Sequence, residues 1–353
     1  MGPTVSVPSA CRAPAPFGRV ILVMRRAQFL RLLGWAGFSL ACQALPARSS
    51  SAAARSSLPS PVRVRDWARA HGLTVRWLET HRRLQLTKGG LQLVLQANSR
   101  EAFINGVRVY LLCPFEYLNP AGYLAEVDVQ RTFGPFLEPP RLPQKQRMEH
   151  ICLDPGHGGK DTGYRIGTTE EKRLTLALAQ ELAGLLRQAG FRVTLTRTRD
   201  VYLDLEERPR LAQRAGADLF VSLHFNAAAA GAGQVRGVET YCLTPANASS
   251  TANPGRISVA GPFPGNQHDL FNIRLAYALH QAMVRGLPSE DRGLRRARFA
   301  VLREASMPAA LVEAGFLSHP VEGRRINDPA YRRRIAQELA RGLQAYRELV
   351  HRP

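Results

Sequence analysis

Two histidines and two glutamates stand where the sequence predicts that strands or helices begin or end. His157 lies in the glycine-rich run LDPGHGGKDTG (153–163), Glu171 begins a predicted helix, His224 follows the apolar run LFVSL, and Glu313 ends the run PAALVE. Two imidazoles and one carboxylate that leave a fourth position open are typical of a catalytic zinc site. The glycines allow the first loop to bring its imidazole close to a metal.

Each of these side chains also has a structural interpretation, because their spacing is not a local metal-binding motif. His157 and His224 also suit buried histidines that form hydrogen bonds near a strand end, and Glu171 suits a carboxylate that stabilises a helix N-terminus. Glu313 is harder to explain in this way, since a carboxylate without a partner after PAALV would be buried at a cost. The residue types alone leave both interpretations open.

The region around these residues alternates between predicted strands and helices. Strands are predicted at residues 151–154, 192–198, 219–223, 237–243, 299–304 and 308–313, and helices at 171–188, 205–215, about 270–285 and from the pair Asp328-Pro329 onward. The alternation predicts an α/β domain over residues 149–353, with a mixed, mostly parallel twisted sheet and helices on both faces, in the phosphorylase/hydrolase-like manner. Functional residues in such sheets lie on loops at strand ends.

Seven motifs of this region resemble, in order, those of the zinc-dependent N-acetylmuramoyl-L-alanine amidases of the type-3 amidase family. They are LDPGHGGKDTG, EEKRLTLALAQEL, TRTRD, LEERPRLAQRAGADLFVSLHFNA, DRGL, FAVL and ALVEAGFLSHP. The resemblance implies that His157, Glu171 and His224 hold one zinc ion. It also implies that Glu313 is the catalytic glutamate. The reaction implied is hydrolysis of the amide between N-acetylmuramic acid and the L-alanine of the stem peptide in peptidoglycan.

Several neighbouring polar residues have less definite roles. Glu170 stands beside Glu171, and the family order of a glutamate directly before a lysine favours Glu171 as the ligand. His319 stands where the family commonly has asparagine, and we expect it at the surface, behind the ligands or against substrate. Asp154 and Asn226 are expected to orient the ligands through hydrogen bonds. Four further charged residues are expected to form structural ion pairs: Asp161, Arg197, Arg208 and Arg292.

A small β-rich accessory domain is predicted over residues 55–133. Short segments with period-two apolar spacing fill this region, and Asn105-Gly106 between two of them predicts a type I′ hairpin. The order of segments resembles the copper amine oxidase N-terminal-like domain, which implies a module that faces substrate or cell wall. Copper binding is not expected, because no His/Cys cluster is present. Residues 134–148 predict an extended, solvated, proline-rich linker.

Residues 1–54 predict a signal peptide and leader. A charge-free stretch from Leu32 to Leu45 follows Arg25, Arg26 and Arg31, and small residues follow it. The predicted location is therefore exported, in the periplasm or cell envelope. The export route stays open among general secretory, twin-arginine and lipoprotein signals.

The positive charge excess of 20 suits an anionic partner. Because no aromatic residues interleave with the basic ones, and because export is predicted, we expect no nucleic acid partner. Peptidoglycan is the expected partner, with peripheral contact to the envelope and a monomeric state. Cys113, Cys152 and Cys242 are expected to be small buried apolar residues without a disulfide framework.

Two alternative functions are compatible with the same residues. The first is a zinc peptidase or carboxypeptidase of wall peptides, since the same metal and glutamate suit any amide. The second is a non-catalytic wall-binding protein. Residues 244–268 are rich in Pro, Gly, Ser and Asn, which predicts a flexible loop and activity without a protein activator.

Overall fold

The computed structural model describes residues 56–144, 146–228, 231, 233–252 and 261–351. The predicted signal peptide and most of the leader lie outside the described residues. The middle of the predicted flexible loop at 244–268 also lies outside them.

The described residues contain strands and helices in the following order. The strands are β1 Pro61–Arg63, β2 Thr74–Glu79, β3 Arg83–Lys88, β4 Leu91–Gln96, β5 Ser99–Ile104, β6 Val107–Leu118, β7 Ala121–Ala125, β8 His150–Pro155, β9 Arg165–Ile166, β10 Thr169–Glu170, β11 Arg192–Leu195, β12 Leu219–Asn226, β13 Val238–Leu243, β14 Asp291–Ala297 and β15 Ala309–Phe316. The α-helices are α1 Val64–Ala70, α2 Glu126–Asp128, α3 Gly134–Leu137, α4 Glu171–Gln188, α5 Glu207–Arg214, α6 Asp269–Gly286, α7 Ala300–Arg303, α8 Pro320–Asn327 and α9 Pro329–His351. A π-helical turn follows α2 at Val129–Phe133, and a 3-10 turn precedes α6 at Pro264–His268.

Thirteen strands of the described residues form one sheet. Its order is β11-β8-β12-β15-β13-β14-β6-β5-β4-β3-β2, with β7 beside β6 and β1 beside β7. Strands β11, β8, β12 and β15 are parallel neighbours, β13 pairs antiparallel with β15, and β14 is parallel to β13. The predicted mixed, mostly parallel α/β sheet is thereby confirmed.

Helices cover both faces of the parallel part of the sheet, because its strands point apolar side chains in both directions. Val221 and Leu223 of β12 lie in the core formed with α4, α6 and α9, whereas Phe220 lies in the smaller core formed with α5 and α7. Helix α4 buries leucines that recur every four residues, at 174, 178, 182 and 186. This spacing places them on one face of the helix, as the sequence predicts.

The accessory part of the sheet is antiparallel. The hairpin turn between β5 and β6 has positive φ at both Asn105 (48°) and Gly106 (82°), which confirms the predicted type I′ turn. Leu84, Leu93 and Ala102 on adjacent strands point to the same buried face, which continues the core formed with α4, α6 and α9.

Parallel pairing between β6 and β14 joins the antiparallel accessory strands to the mostly parallel strands of the α/β region, with Leu294 opposite Val109. The Asp291 carboxylate accepts a hydrogen bond from the Arg108 backbone N–H at 2.8 Å, and the Tyr277 hydroxyl donates to the Ile104 carbonyl at 2.8 Å. The two regions therefore share a sheet and a core. Their division into separate domains at 55–133 and 149–353 stays a prediction.

Two segments differ from the predicted secondary structure. Residues 299–304, predicted as a strand, contain helix α7, and the strand lies earlier, at β14. Strand β14 has the sequence DRGLRRA, which lacks apolar alternation. Its arginines are tolerated in the sheet because Arg292 pairs with a carboxylate and Arg296 donates to a backbone carbonyl. The predicted linker also differs, since α3 begins it, the Leu142 N–H donates to the Val350 carbonyl, and Met148 is buried.

Two smaller observations complete the fold. Cys152 and Cys242 are buried as predicted, whereas Cys113 is only half-buried. Within the described ranges, every helix is too short or too polar to cross a bilayer.

Candidate active site

The loop after β8 presents His157 in a backbone conformation that L-residues rarely adopt, with φ of 63°. Two arginines with buried side chains hold this loop through hydrogen bonds to its backbone carbonyls. Arg197 donates to the carbonyls of Pro155 and Gly156 at 2.9 and 2.8 Å, and Arg208 donates to the His157 carbonyl at 3.0 Å. These bonds stabilise a conformation that would otherwise be costly.

Glu171 occupies the first position of α4, so its side chain projects from the helix start toward the same loop. Its carboxylate is almost wholly buried, with 6% of the side chain exposed. Backbone N–H groups of Tyr164 and Phe225 donate to its two oxygens at 2.9 and 3.1 Å. These donors hold the carboxylate in one orientation.

His224 lies near the end of β12, which is adjacent and parallel to β8. Its ring packs directly against Gly156, and a side chain at that position would overlap the imidazole. Gly163, with φ of 62°, leaves similar room beside His157 and Glu171. The glycines of the first motif thus make space for the cluster.

Three potential ligand atoms converge on one point. His157 Nε2 lies 3.0 Å from Glu171 Oε1 and 3.2 Å from His224 Nδ1, and His224 Nδ1 lies 3.3 Å from Glu171 Oε1. Ligand atoms at Zn–N and Zn–O distances of about 2.1 Å in a tetrahedron are about 3.4 Å apart. Within the described ranges this is the one His/Cys/Asp/Glu group close enough to hold a metal ion.

The protonation pattern of the cluster also suits a cation. His157 Nδ1 lies 2.8 Å from Asp161 Oδ2, and a proton on Nδ1 leaves the lone pair of Nε2 directed at the other two groups. Nε2, the Nδ1 of His224 and the Glu171 carboxylate are then three electron-pair donors in mutual contact. A metal ion satisfies all three at once.

Charge interactions shift the pKa values of these groups. Burial alone would raise the pKa of Glu171, but the hydrogen bonds and charges of His157 and His224 outweigh it and hold this pKa far below its usual range. Burial alone would lower the pKa of His157, but Glu171 and Asp161 outweigh it and raise this pKa. The Glu171 carboxylate is therefore ionised across the physiological range.

Glu313 lies next to the cluster on β15, directly opposite His224 of β12 in the sheet. Its Oε2 is buried and has no hydrogen-bond partner among the described residues. Burial, followed by the negative charges of Glu171 and Glu239, raises the pKa of Glu313 well above its usual range. A carboxyl group with a raised pKa beside a metal site is suited to proton transfer.

Comparison with known families decides the family of this chain. A family model described as N-acetylmuramoyl-L-alanine amidase matches residues 151–345, which is more than half of the chain. The chain is an N-acetylmuramoyl-L-alanine amidase family member. The match confirms the family and the enzyme class predicted from the sequence.

Amidases of several bacteria are similar to this family member. AmiC of Neisseria meningitidis is 34% identical over 222 residues, which cover 57% of this chain and 53% of the relative, so the match spans about half of that protein. AmiA of Salmonella typhimurium is 33% identical over 224 residues, covering 56% of this chain and 75% of the relative. The CwlV catalytic domain of Bacillus (Paenibacillus) polymyxa is 30% identical with a TM-score of 0.47, covering 57% of this chain and 99% of that domain.

The structure of this amidase selects Glu171 over its neighbour for the cluster. Glu170 Oε2 lies 3.6 Å from Lys172 Nζ and 3.2 Å from Arg173 Nε, and Glu170 is not a member of the cluster. Lys172 in turn donates to the Gly159 carbonyl at 2.8 Å. The Glu-Lys order of the motif thus places the carboxylate in the cluster and the ammonium group on the adjoining loop.

Asp154 and Asn226 were predicted to orient the ligands through hydrogen bonds, but neither side chain bonds a member of the cluster directly. Asp154 is fully buried and pairs with Arg208 at 2.8 Å, so it reaches His157 through the guanidinium that holds the His157 carbonyl. Asn226 Nδ2 donates to Glu239 Oε2 at 3.1 Å. Asn226 therefore contacts the neighbour of Glu313 and not a member of the cluster.

His319 differs from the expectation of a surface group. It is buried, and its Nδ1 accepts a hydrogen bond from the Glu322 N–H at 3.2 Å, so the side chain caps the N-terminus of α8. His319 is not a member of the cluster. The histidine takes a capping role that asparagine also performs.

Sequence reasoning missed two residues of this site. Asp161, expected to form a structural ion pair, orients His157, and its place four residues after the histidine in a turning loop was the available signal. Glu239 lies opposite Glu313 on the antiparallel neighbour β13. Nothing in the sequence indicates that pairing. Of the other three residues expected to form ion pairs, Arg208 and Arg292 do so with Asp154 and Glu239. Arg197 instead donates to backbone carbonyls.

Proposed function

We propose that this chain is a zinc-dependent amidase that cleaves the amide between N-acetylmuramic acid and L-alanine in peptidoglycan. The observation that carries the proposal is the convergence of His157, Glu171 and His224 beside the buried carboxyl group of Glu313. Membership of the amidase family supplies the substrate class.

The donor set favours zinc over the common hard cations. Two imidazole nitrogens and one carboxylate oxygen suit zinc, whereas Mg²⁺ and Ca²⁺ prefer six or more oxygen ligands. His157, Glu171 and His224 would hold one ion, with Asp161 fixing the tautomer of His157. A site with three protein ligands keeps a position open for substrate or water.

When bound, zinc supplies Lewis acidity toward the amide carbonyl and toward water. Glu313 in its ionised form accepts a proton from the attacking water, whose oxygen adds to the carbonyl carbon. Glu313 then delivers the proton to the alanine nitrogen as the C–N bond breaks, leaving a muramoyl carboxylate and a free amine. The lack of a hydrogen-bond partner for Glu313 Oε2 leaves that oxygen available for this proton.

The remaining predictions about the whole protein belong to the same proposal. The leader at 1–54 directs export to the periplasm or cell envelope, where peptidoglycan is the partner. The basic surface allows peripheral contact with the envelope, the enzyme acts as a monomer, and residues 244–268 leave the site accessible without a protein activator. Residues 55–133 form an accessory module joined by residues 134–148 to the catalytic region at 149–353.

The proposal is tested by digestion of purified peptidoglycan with the full mature chain, with and without a chelator. We expect free stem peptides that begin with L-alanine, detected by mass spectrometry, and their loss on chelation. Cleavage inside the stem peptide would instead support a wall peptidase. Binding to peptidoglycan without release of any fragment would support a non-catalytic wall protein.

A further inference from the structure

Two arginines of β14 lie beside Glu239, the carboxylate that neighbours Glu313. Arg292 Nε lies 2.9 Å and Arg295 Nε 3.6 Å from the same oxygen, Glu239 Oε1. Glu239 is opposite Glu313 in the sheet. The two guanidinium groups therefore form a wall on the side of Glu313 that faces away from the ligand cluster.

This wall carries more positive charge than its own carboxylate neutralises. The Tyr241 hydroxyl donates to the other oxygen of Glu239 at 2.6 Å, and Asn226 donates to it as well. The terminal nitrogens of Arg292 and Arg295 have no acceptor among the described residues. Their side chains stay 29% and 18% exposed, so a ligand can reach them.

The accessory sheet supports one of these arginines. Tyr110 of β6 stacks on the Arg295 guanidinium, with the central carbon 4.2 Å from the ring centroid. The contact follows from the register, because Val109 and Leu294 are opposite each other and Tyr110 and Arg295 are the next residues on the two parallel strands. Gly293 lets the ring lie close, since a side chain there would contact Tyr110 at 2.7 Å.

We propose that Tyr110 is a positioning residue that holds Arg295, together with Arg292, to bind a carboxylate group of the substrate beside Glu313. The accessory sheet thereby contributes a residue to substrate recognition in the catalytic region. This inference rests on the proposed amidase function and adds to it the recognition of an anionic stem peptide.

The chemistry of Arg292 and Arg295 favours a carboxylate as the ligand of this arginine wall. Guanidinium groups bind carboxylates through paired N–H donors in a planar arrangement, and a ring face restricts the orientation of that plane. A stem peptide carries carboxylates within reach of its scissile amide, whereas the glycan carries neutral hydroxyl and acetamido groups. Two guanidinium groups with one internal carboxylate therefore suit the peptide side of the substrate.

The test compares two soluble muramoyl peptides that differ only in the stem carboxylates, which are free in one and converted to amides in the other. In Tyr110→Leu, KM for the free-carboxylate substrate is expected to rise about threefold to tenfold, since the cation–π contact is lost. The kcat values, and KM for the amidated substrate, are expected to stay close to those of the wild type. Tyr110→Phe retains the ring face and is expected to restore KM.

Phe103→Leu is the matched control. Phe103 lies on the same face of the accessory sheet, and its ring is 5.8 Å from the guanidinium of Arg108, which is not one of the arginines beside Glu239. We expect unchanged kinetics on both substrates. Arg295→Gln removes the guanidinium group that Tyr110 contacts and is expected to give the same carboxylate-selective rise in KM. This variant keeps the test valid even if Tyr110→Leu weakens the junction between β6 and β14.

The outcomes separate this inference from the proposed function. A wild-type protein that releases no stem peptide contradicts the amidase proposal. An active wild type in which Arg295→Gln changes KM equally for the two substrates overturns the carboxylate-binding wall. A Tyr110→Phe variant with the same defect as Tyr110→Leu overturns the positioning role of the ring.

Discussion

The catalytic and accessory regions share one sheet but differ in where they place polar side chains. In the catalytic region β8 and β12 run parallel, so His157, just after β8, and His224, near the end of β12, lie at the same edge. In the accessory region β2 to β6 run antiparallel, and successive strands end at opposite edges. Within the described ranges the one group of side chains close enough to hold a metal ion lies in the catalytic region.

This difference shows how strand direction affects function. Parallel strands collect loop residues at one edge, where they can share a ligand. Antiparallel strands instead present alternate side chains across a face. The accessory region accordingly reaches the site through the face residue Tyr110, which contacts Arg295.

The largest effect is expected from removing a ligand of the cluster. Glu171→Ala should lose bound zinc and all measurable hydrolysis, because two imidazoles remain and the carboxylate charge is absent. The matched control is Glu170→Ala, which removes a partly buried carboxylate that pairs with Lys172 and Arg173 and should keep both zinc and hydrolysis. Elemental analysis and peptidoglycan digestion measure the two variants. Zinc loss in the control instead would transfer the ligand role to Glu170.

Glu313→Gln should retain zinc but lose about 10² to 10⁴ in kcat, since the proton acceptor is removed. Glu290→Gln, which alters an exposed ion pair with Arg236, is the control and should keep wild-type kcat. The kinetics of stem-peptide release measure both variants. Wild-type turnover in Glu313→Gln would show that another group transfers the proton.

A smaller effect is expected from the residue that orients His157. Asp161→Ala should weaken zinc affinity about 10-fold to 100-fold, because the imidazole loses the acceptor for its Nδ1 proton. Asp200→Ala removes a carboxylate that accepts hydrogen bonds from Gly159 of the same loop and from Lys172 of α4 without touching a ligand, so its effect should be smaller. Competition with a chromogenic chelator measures both affinities. Equal losses would mean that Asp161 acts only by holding the loop.

The smallest effect is expected at the junction of the two regions and depends on pH. Burial alone would raise the pKa of Asp291, but hydrogen bonds from His280, Arg108 and Gly293 outweigh it and lower this pKa. Because the folded-state pKa is lowered, Asp291 stabilises the protein at pH values above the ordinary aspartate pKa of about 3.9. This contribution is lost as the pH falls through the folded-state pKa.

Asp291→Asn should therefore reduce the free energy of unfolding by about 1–3 kcal/mol at pH 7, and the difference from wild type should shrink below pH 4. Urea unfolding at pH 7 and pH 3 measures this difference. A difference of the same size at both pH values would show that the charge of Asp291 does not stabilise the junction.

The fold of the catalytic region could be predicted where apolar periodicity was strong. Helix α4 has the predicted bounds of 171–188, and α9 begins at the predicted Asp328-Pro329 pair. Strand β14 was missed because its sequence DRGLRRA contains three arginines and lacks the apolar alternation that predicts a strand. The pairing of Val109 with Leu294 could not be predicted either, since it joins residues far apart in the chain without a local signal.

The candidate site was predictable to the extent that it follows motifs. His157, Glu171, His224 and Glu313 come together as the motifs imply, although their roles stay predictions until tested. The surface position considered for His319 was wrong, because a capping histidine and a surface histidine look alike in sequence. The contribution of Tyr110 depends on the register between two regions, which only the assembled sheet shows.

The central claim is that His157, Glu171 and His224 share one metal ion. Anomalous diffraction at the zinc edge, from crystals of the active enzyme, tests it most directly. We predict a single peak about 2.0–2.2 Å from His157 Nε2, His224 Nδ1 and Glu171 Oε1. An active enzyme whose peak lies elsewhere, or that shows no peak at all, would contradict the account.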